Sequence, residues 1–419
     1  MKHNIKEITL KNGAKGLLIN VPGASVVRML VEFRAGFDLG SQDKYELPHV
    51  TEHMMFTNKA YPKPRAFSRE IEKNGAINNA STSSTSLKYF YECANFEAER
   101  IADLLSIQIA QPLFDEKELK TELGNVAEEL SSYISNPAYA SGYNLRVAAE
   151  GEPTLETRIE QLSSVKAEDL YSYYDKTHSA DNMRFIIAGD QGLESISNQL
   201  AESGLKSGKR LDLPEIPTKH VDKPVVEIRD IPQIYYQLFS AHNKPLSYRQ
   251  LVAARILSGL LSDGFSSTLL GLAREKGLVY GMYTDIESSN YNSGFMMGGS
   301  VSPSNIDEYI DLVVDEISKV LRGEVDADHF ESTKKLLLGQ RALQYQKLSN
   351  LVSYYDSYFT IGYQPFNEFN KLIEEVSLEE AIQEFNKLFA QKTWGVSFLG
   401  NIDDKQAAKH YKKLASIWR

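Results

Sequence analysis

The sequence holds a single cysteine, Cys93, in 419 residues, so no internal disulfide can form and a disulfide-stapled secreted domain is excluded. No apolar run approaches the length of about 18 residues that a membrane-spanning helix needs. Positive charge is also in deficit: 46 Lys and Arg stand against 56 Asp and Glu, a formal net charge of -10. That balance argues against nucleic acid as a partner, because a phosphate backbone is gripped through basic patches. The opening stretch MKHNIKEITLKNGAKGLLIN lacks both an apolar signal-peptide core and an Arg- and Ser-rich amphipathic pattern, and reads as the first strand of a domain. Together these absences lead us to expect a cytoplasmic protein with no membrane segment.

What is present is a globular composition, 42% hydrophobic and 24% charged. The length exceeds one ordinary core and predicts two domains of about 200 residues each. Residues 205–224, LKSGKRLDLPEIPTKHVDKP, carry three prolines and little periodicity. They read as a linker at 206–224 between an N-terminal domain, 1–205, and a C-terminal domain, 225–419. The two halves resemble each other. Ser164 and Ser377 each read as the N-cap of a helix with an acidic first turn, followed by a β-rich strand ending in Gly, Met183–Gly189 and Trp394–Gly400. Helical and strand signals mix without strict alternation, which predicts an α+β fold with helices covering a mainly antiparallel sheet.

The informative stretch is Leu47-Pro48-His49-Val50-Thr51-Glu52-His53-Met54-Met55-Phe56. On a helix, His49 and His53 share one face one turn apart, a spacing that suits two nitrogen ligands of one zinc ion. Glu52 directly precedes His53 and could reach a metal-bound water without binding the metal, as a proton acceptor and then donor. The bland alternative is a pair of solvated histidines. A catalytic zinc needs a third protein ligand, and the helical segment Phe114–Ile134, with Asp115 as a plausible N-cap, offers Glu116, Glu118, Glu122, Glu128 and Glu129. Glu122 and Glu129 share a face two turns apart, and spacing alone does not choose between Glu128 and Glu129.

These residues resemble the insulinase/pitrilysin family of zinc metallopeptidases, in the branch of short subunits similar to the mitochondrial processing peptidase and its bacterial relatives. Three blocks carry the resemblance: His49-x-x-Glu52-His53; Glu72 through Thr82 followed by Tyr89; and Glu122…Glu128-Glu129-Leu130. The resemblance implies that His49, His53 and Glu129 bind one Zn2+ per chain, that Glu122 supports them, and that Glu52 is the general base. It implies that Asn79 and Ala80 bind the peptide backbone at a sheet edge, where an extended substrate adds as a strand. A weaker match, Leu272 through Tyr280, resembles the segment whose Arg and Tyr hold the substrate; it points to Arg274 and Tyr280, with one residue fewer than usual between Arg274 and Gly277. The implied fold is two homologous α/β-sandwich domains forming half of a clamshell. The implied activity is zinc-dependent endoproteolysis of short or unstructured peptides, in a homodimer or a heterodimer with a related subunit. The alternative is a non-hydrolytic metal- or peptide-binding subunit.

The remaining histidines, His3, His178, His220, His242, His329 and His410, read as surface or capping residues. Cys93, in an apolar strand, reads as a buried and inert thiol. The tyrosines near 353–363 read as core and interface.

Overall fold

The structure is a computed structural model that describes residues 1–63, 65–289, 291–357 and 366–418. The first half runs β1 (Asn4–Thr9), β2 (Lys15–Asn20), β3 (Val26–Phe33), α1 (Leu47–Met54), α2 (Ala66–Glu72), β4 (Ile77–Thr82), β5 (Leu87–Ala94), α3 (Ala98–Ala110), α4 (Glu116–Ser135), α5 (Pro137–Glu150), α6 (Leu155–Leu162), α7 (Ala167–Thr177), β6 (Met183–Gly189) and α8 (Leu193–Ala201). The second runs β7 (Val225–Ile228), β8 (Ile234–His242), α9 (Tyr248–Ser262), α10 (Leu270–Glu275), β9 (Met282–Ser288), β10 (Ser293–Val301), α11 (Ile306–Leu321), α12 (Ala327–Gln344), α13 (Leu348–Asp356), α14 (Phe366–Glu375), α15 (Leu378–Ala390), β11 (Thr393–Gly400) and α16 (Asp404–Leu414). No described helix is long and apolar enough to cross a membrane.

The strands form two sheets, ordered β1-β2-β6-β3-β5-β4 and β7-β11-β8-β10-β9. β2 pairs with β6 in parallel, as β7 does with β11, and every other pairing is antiparallel. Exchanging β2, β6, β3, β5 and β4 for β7, β11, β8, β10 and β9 turns one sheet into the other, in order and in direction. The halves are therefore two copies of one α/β sandwich, with β1 an addition to the first. The sequence resemblance between the halves has this topology beneath it.

The chain separates into two compact units. The first gathers Met1–Ser131, Leu155–Pro214 and a stretch from Gln344 that includes α13; the second holds Ser132–Thr154, Glu215–Leu343 and the rest of the C-terminal part. No helix or strand lies at 204–224. Two helices pack with the sheet encoded by the other half of the chain. α5 packs on β11 and β8, and α13 packs on β6 and β3, which are the equivalent strands. The sequence division at 206–224 does not foresee that exchange.

The local reasons are ordinary. β3 and β6 are almost wholly apolar and buried, whereas β5 alternates, with Leu87, Tyr89, Tyr91 and Cys93 inside. Each such aliphatic or aromatic side chain contributes about 1.5–3 kcal/mol on burial. Just past the end of α2, Gly75, with φ of +82° and an N–H bond to the Glu72 carbonyl at 2.8 Å, turns the chain into β4. Asp115 caps α4 as expected, accepting from the Lys117 and Glu118 amides at 2.9 and 3.1 Å. Ser377 likewise caps α15 by accepting from the Glu380 amide. Ser164 does not cap α7: residues 165–166 stay outside the helix, and Asp169 instead accepts from the Lys166 amide at 2.9 Å. Of the other histidines, His178 and His410 are buried, not surface residues. His178 is 4.3 Å from the Phe33 ring and 4.8 Å from that of Tyr174, and bonds Tyr89 and Thr177 at 3.0 Å each. Cys93 is buried as expected, and burial pushes its thiol up to about 12. Tyr354 and Tyr355 lie on α13, and Tyr355 is core; residues 358–363 fall outside the described residues.

Candidate metal centre

α1 is short, and its burial sets the site. Val50 and Met54 enter the core, Pro48 occupies the first turn where its missing N–H costs nothing, and the Thr51 hydroxyl bonds back to the Leu47 carbonyl at 2.7 Å. Val50 and Met54 are one turn apart and seat the helix. That leaves His49 and His53 on a common face, ring centroids 4.8 Å apart at 79°. Opposite runs α4, anchored by Leu119, Val126 and Leu130. Its flank carries Glu122 and Glu129, both half-buried, while Glu128 is exposed.

Glu129 is thus the residue brought to the histidines. Its Oε2 lies 3.7 Å from His49 Nε2 and 3.6 Å from His53 Nε2. One ligand atom from each of the three residues falls within 4.8 Å of the others, the one such His/Cys/Asp/Glu grouping among the described residues. Tetrahedral zinc, at about 2.0–2.2 Å from nitrogen and carboxylate ligands, sets neighbouring donors about 3.3–3.5 Å apart. The two Glu129–histidine separations need close by only a few tenths of an ångström, and two imidazoles with one carboxylate are a donor set that suits the ion.

The opposite edges of the imidazoles are also held. His53 Nδ1 is 3.1 Å from Glu122 Oε2, and Asn125 donates to the same oxygen at 3.2 Å. The His53 bond is the main reason the Glu122 carboxyl sits below its ordinary value. Burial alone would depress His53, but the bond to Glu122 and the charges of Glu52, Glu122 and Glu129 raise it. His49 Nδ1 is 2.8 Å from Glu46 Oε2, and Glu46 is fully buried against Arg158. Burial pushes the Glu46 carboxyl up, yet the bond with His49 and the Arg158 charge outweigh it and leave it low. Four carboxylates, Glu46, Glu52, Glu122 and Glu129, thus gather around one guanidinium and two imidazoles, a donor set that calls for a cation.

Glu52 turns toward β4, where the Thr82 hydroxyl donates to its Oε2 at 2.6 Å. Burial raises its carboxyl above the ordinary value, and it feels the charges of His49, His53 and Glu129. β4 is the last strand of its sheet and pairs only with β5 among the described residues. Asn79 and Ala80 lie on it; Ala80 is buried, and the Asn79 side-chain carbonyl accepts from the Ala80 amide at 2.9 Å. Arg274 and Tyr280 belong to the second unit, whereas the cluster is built wholly within the first. Tyr280 is 88% exposed. The Arg274 guanidinium lies over the rings of Phe265 and Tyr280, at 4.6 and 5.0 Å, and donates to the Tyr280 carbonyl.

Sequence reasoning missed Glu46, Thr82 and Arg158. Glu46 could have been found three residues ahead of His49, on the same helical face. Arg158 carries no local signal.

Comparison with known proteins places the chain in a peptidase family. The profile for Insulinase (Peptidase family M16) matches residues 17–159, and that for Peptidase M16 inactive domain matches 164–337. The cluster lies inside the first match. An uncharacterized zinc protease of Rickettsia felis is 24% identical, over 94% of this chain and 97% of its own. Among solved structures, a protease from Helicobacter pylori superposes with a TM-score of 0.85 at 18% identity, over 95% of this chain and all of its own. A peptidase M16 inactive domain from Pseudomonas fluorescens gives 0.84 at 16% identity, over 96% and 98%. At these identities the superpositions speak for the fold.

Proposed function

The chain belongs to the insulinase family, peptidase family M16, and on that premise we propose that it is a zinc-dependent metalloendopeptidase of short or unstructured peptides. The observation that carries the reading is the convergence of His49, His53 and Glu129 beside Glu52. Zinc bound there would supply a Lewis acid and a water that ionises near neutral pH. The rest falls to the chain. Thr82 fixes one oxygen of Glu52, so the other is directed to take a proton from the attacking water and return it to the leaving amine. Partial burial favours that return, because it makes the protonated form of Glu52 accessible. The free edge of β4 suits an extended peptide held through main-chain hydrogen bonds, with Asn79 and Ala80 at the point of contact. A segment not already held in a fold can extend along that edge, which favours unstructured substrates. From the resemblance we assign Tyr280 and Arg274 to the substrate carbonyl, with Tyr280 the exposed member. We also assign a dimer, of this chain with itself or with a related subunit.

A subunit that binds peptide without cleaving it is the rival. No residue of the cluster argues for it, since all three ligands and Glu52 are in place. Purified protein and its Glu52→Gln variant, assayed on a quenched unstructured peptide with zinc content measured on both, decide the matter. We expect zinc in both and cleavage in the wild type alone. Equal cleavage by the two rules out Glu52 as the base, and a zinc-loaded wild type inert on a varied peptide library rules out the peptidase.

A further inference from the structure

Each imidazole of the cluster presents Nε2 toward Glu129 and gives Nδ1 to a separate carboxylate. For His53 that carboxylate is Glu122, already singled out in the Glu122…Glu129 block of the sequence. For His49 it is Glu46, which no motif singled out. Glu46 is fully buried, at the point where the chain enters α1. A carboxylate withdrawn from water is tolerated only when partners replace the lost hydration. Glu46 has two: Oε2 meets His49 Nδ1 at 2.8 Å, and Oε1 pairs with Arg158 Nε. Arg158, on α6, is itself buried, and its guanidinium lies 4.9 Å from the Phe37 ring centroid and 5.0 Å from that of Tyr45. Those two rings stack on each other at 5.1 Å, so the guanidinium packs against an aromatic pair.

We propose, resting on the zinc reading above, that Glu46 held by Arg158 is a positioning residue that fixes the ring and tautomer of His49 for metal binding. An ionised carboxylate accepts and never donates, so the proton of neutral His49 must sit on Nδ1. Nε2 then carries the lone pair, on the side facing Glu129. Arg158 supplies the counter-charge and stops Glu46 from swinging away. The two histidines are thereby oriented from opposite ends of the site, His49 by Glu46 and His53 by Glu122. Losing such an outer partner typically weakens metal binding about 10–100-fold.

The test uses the full chain stripped of metal. Glu46→Gln keeps the size of the side chain, and Glu46→Gln/Arg158→Met removes both charges so that neither is left buried alone. Zinc is titrated in competition with a chromophoric chelator, the absorption spectrum of the cobalt(II) form is recorded, and thermal unfolding of the metal-free proteins is followed in parallel. We expect zinc binding about 10–100-fold weaker in both variants, with an altered cobalt spectrum. Metal-free unfolding of the double variant should stay near the wild-type midpoint, and Glu46→Asp should recover part of the affinity. Wild-type affinity in the double variant overturns the proposal. So does weaker binding matched by an equal loss of metal-free stability, which gives the pair a purely structural role. A wild type that takes up no zinc overturns the metal reading itself, and this proposal with it.

Discussion

Replacing Glu129 with Gln separates a metal ligand from a merely acidic surface residue. The side chain keeps its shape, but the oxygen 3.7 and 3.6 Å from the two Nε2 atoms loses its charge. Binding to the folded state alone stabilises it by RT ln(1 + [Zn]/Kd), about 4.1 kcal/mol at a thousandfold excess over Kd. For a unit of about 200 residues, each kcal/mol moves the midpoint by about 2–4 °C, so zinc should raise that of the wild type by about 8–16 °C. If the variant binds about 100-fold more weakly, the same zinc concentration contributes about 1.4 kcal/mol, or about 3–6 °C.

The metal-free proteins should behave in the opposite sense. Glu129 is one of four carboxylates in the cluster, and removing one relieves like-charge repulsion. Metal-free Glu129→Gln is therefore expected to melt at or above the metal-free wild type. The assay is differential scanning calorimetry of both proteins, chelated and zinc-loaded. An equal zinc-induced rise in both would refute the assignment. So would a metal-free variant several degrees less stable than the wild type, because Glu129 would then be holding the fold and not a cation.

Two further outcomes test the frame of the site. Leu130→Ala, at a fully buried position of α4 next to Glu129, should cost about 2–5 kcal/mol in urea unfolding and weaken zinc binding as the helix loses its seat. His178 is buried and neutral, its value depressed to about 3 against about 6.5 when unfolded. Between those values the unfolded chain binds the extra proton, so stability rises with pH and is lost on acidification from 6.5 toward 3. Taking the pH from 7 to 5 should cost on the order of 2 kcal/mol, and His178→Gln should flatten that part of the pH–stability curve; an unchanged slope would refute it.

The parts of the fold legible in the sequence are those governed by local rules. α4 announces itself through Asp115, the acidic first turn and the stripe Leu119, Val126, Leu130. Glu122 and Glu129 are legible as a pair because seven residues make two turns. The choice between Glu128 and Glu129 is not, because neighbours on a helix differ by about 100° and only packing against α1 decides which points inward. α5 carries a local start signal of the same kind: Asn136 accepts from the Ala138 and Tyr139 amides, and Pro137 holds the first helical position. β10, SGFMMGGSV, has three glycines and two methionines and little intrinsic preference for a strand. It is one because it lies between β8 and β9, a tertiary circumstance outside its own sequence. Arg158 is 112 residues from Glu46 and falls under the same limit.

The repeated topology bears on why the carboxylates are there at all. α9 occupies in the second copy the place of α1, between the counterparts of β3 and β4. It carries neither histidine nor carboxylate, and Val252, Ala253, Ala254, Ile256, Leu257, Leu260 and Leu261 are buried along it. The same sandwich is therefore built once around apolar side chains and once around His49, His53 and four glutamates. Burying ionised groups is unfavourable unless partners meet their charge, and apolar packing of like volume does the structural task as well or better. Since the fold is completed without such a cluster in one copy, its presence in the other is not explained by folding. A cation held by His49, His53 and Glu129 would account for it, meeting the charge that Arg158 and the imidazoles leave uncompensated. On the zinc reading proposed above, the first copy gives up apolar packing for a ligand site, and the second, with Val252, Ile256 and Leu260 in the equivalent helix, keeps that packing.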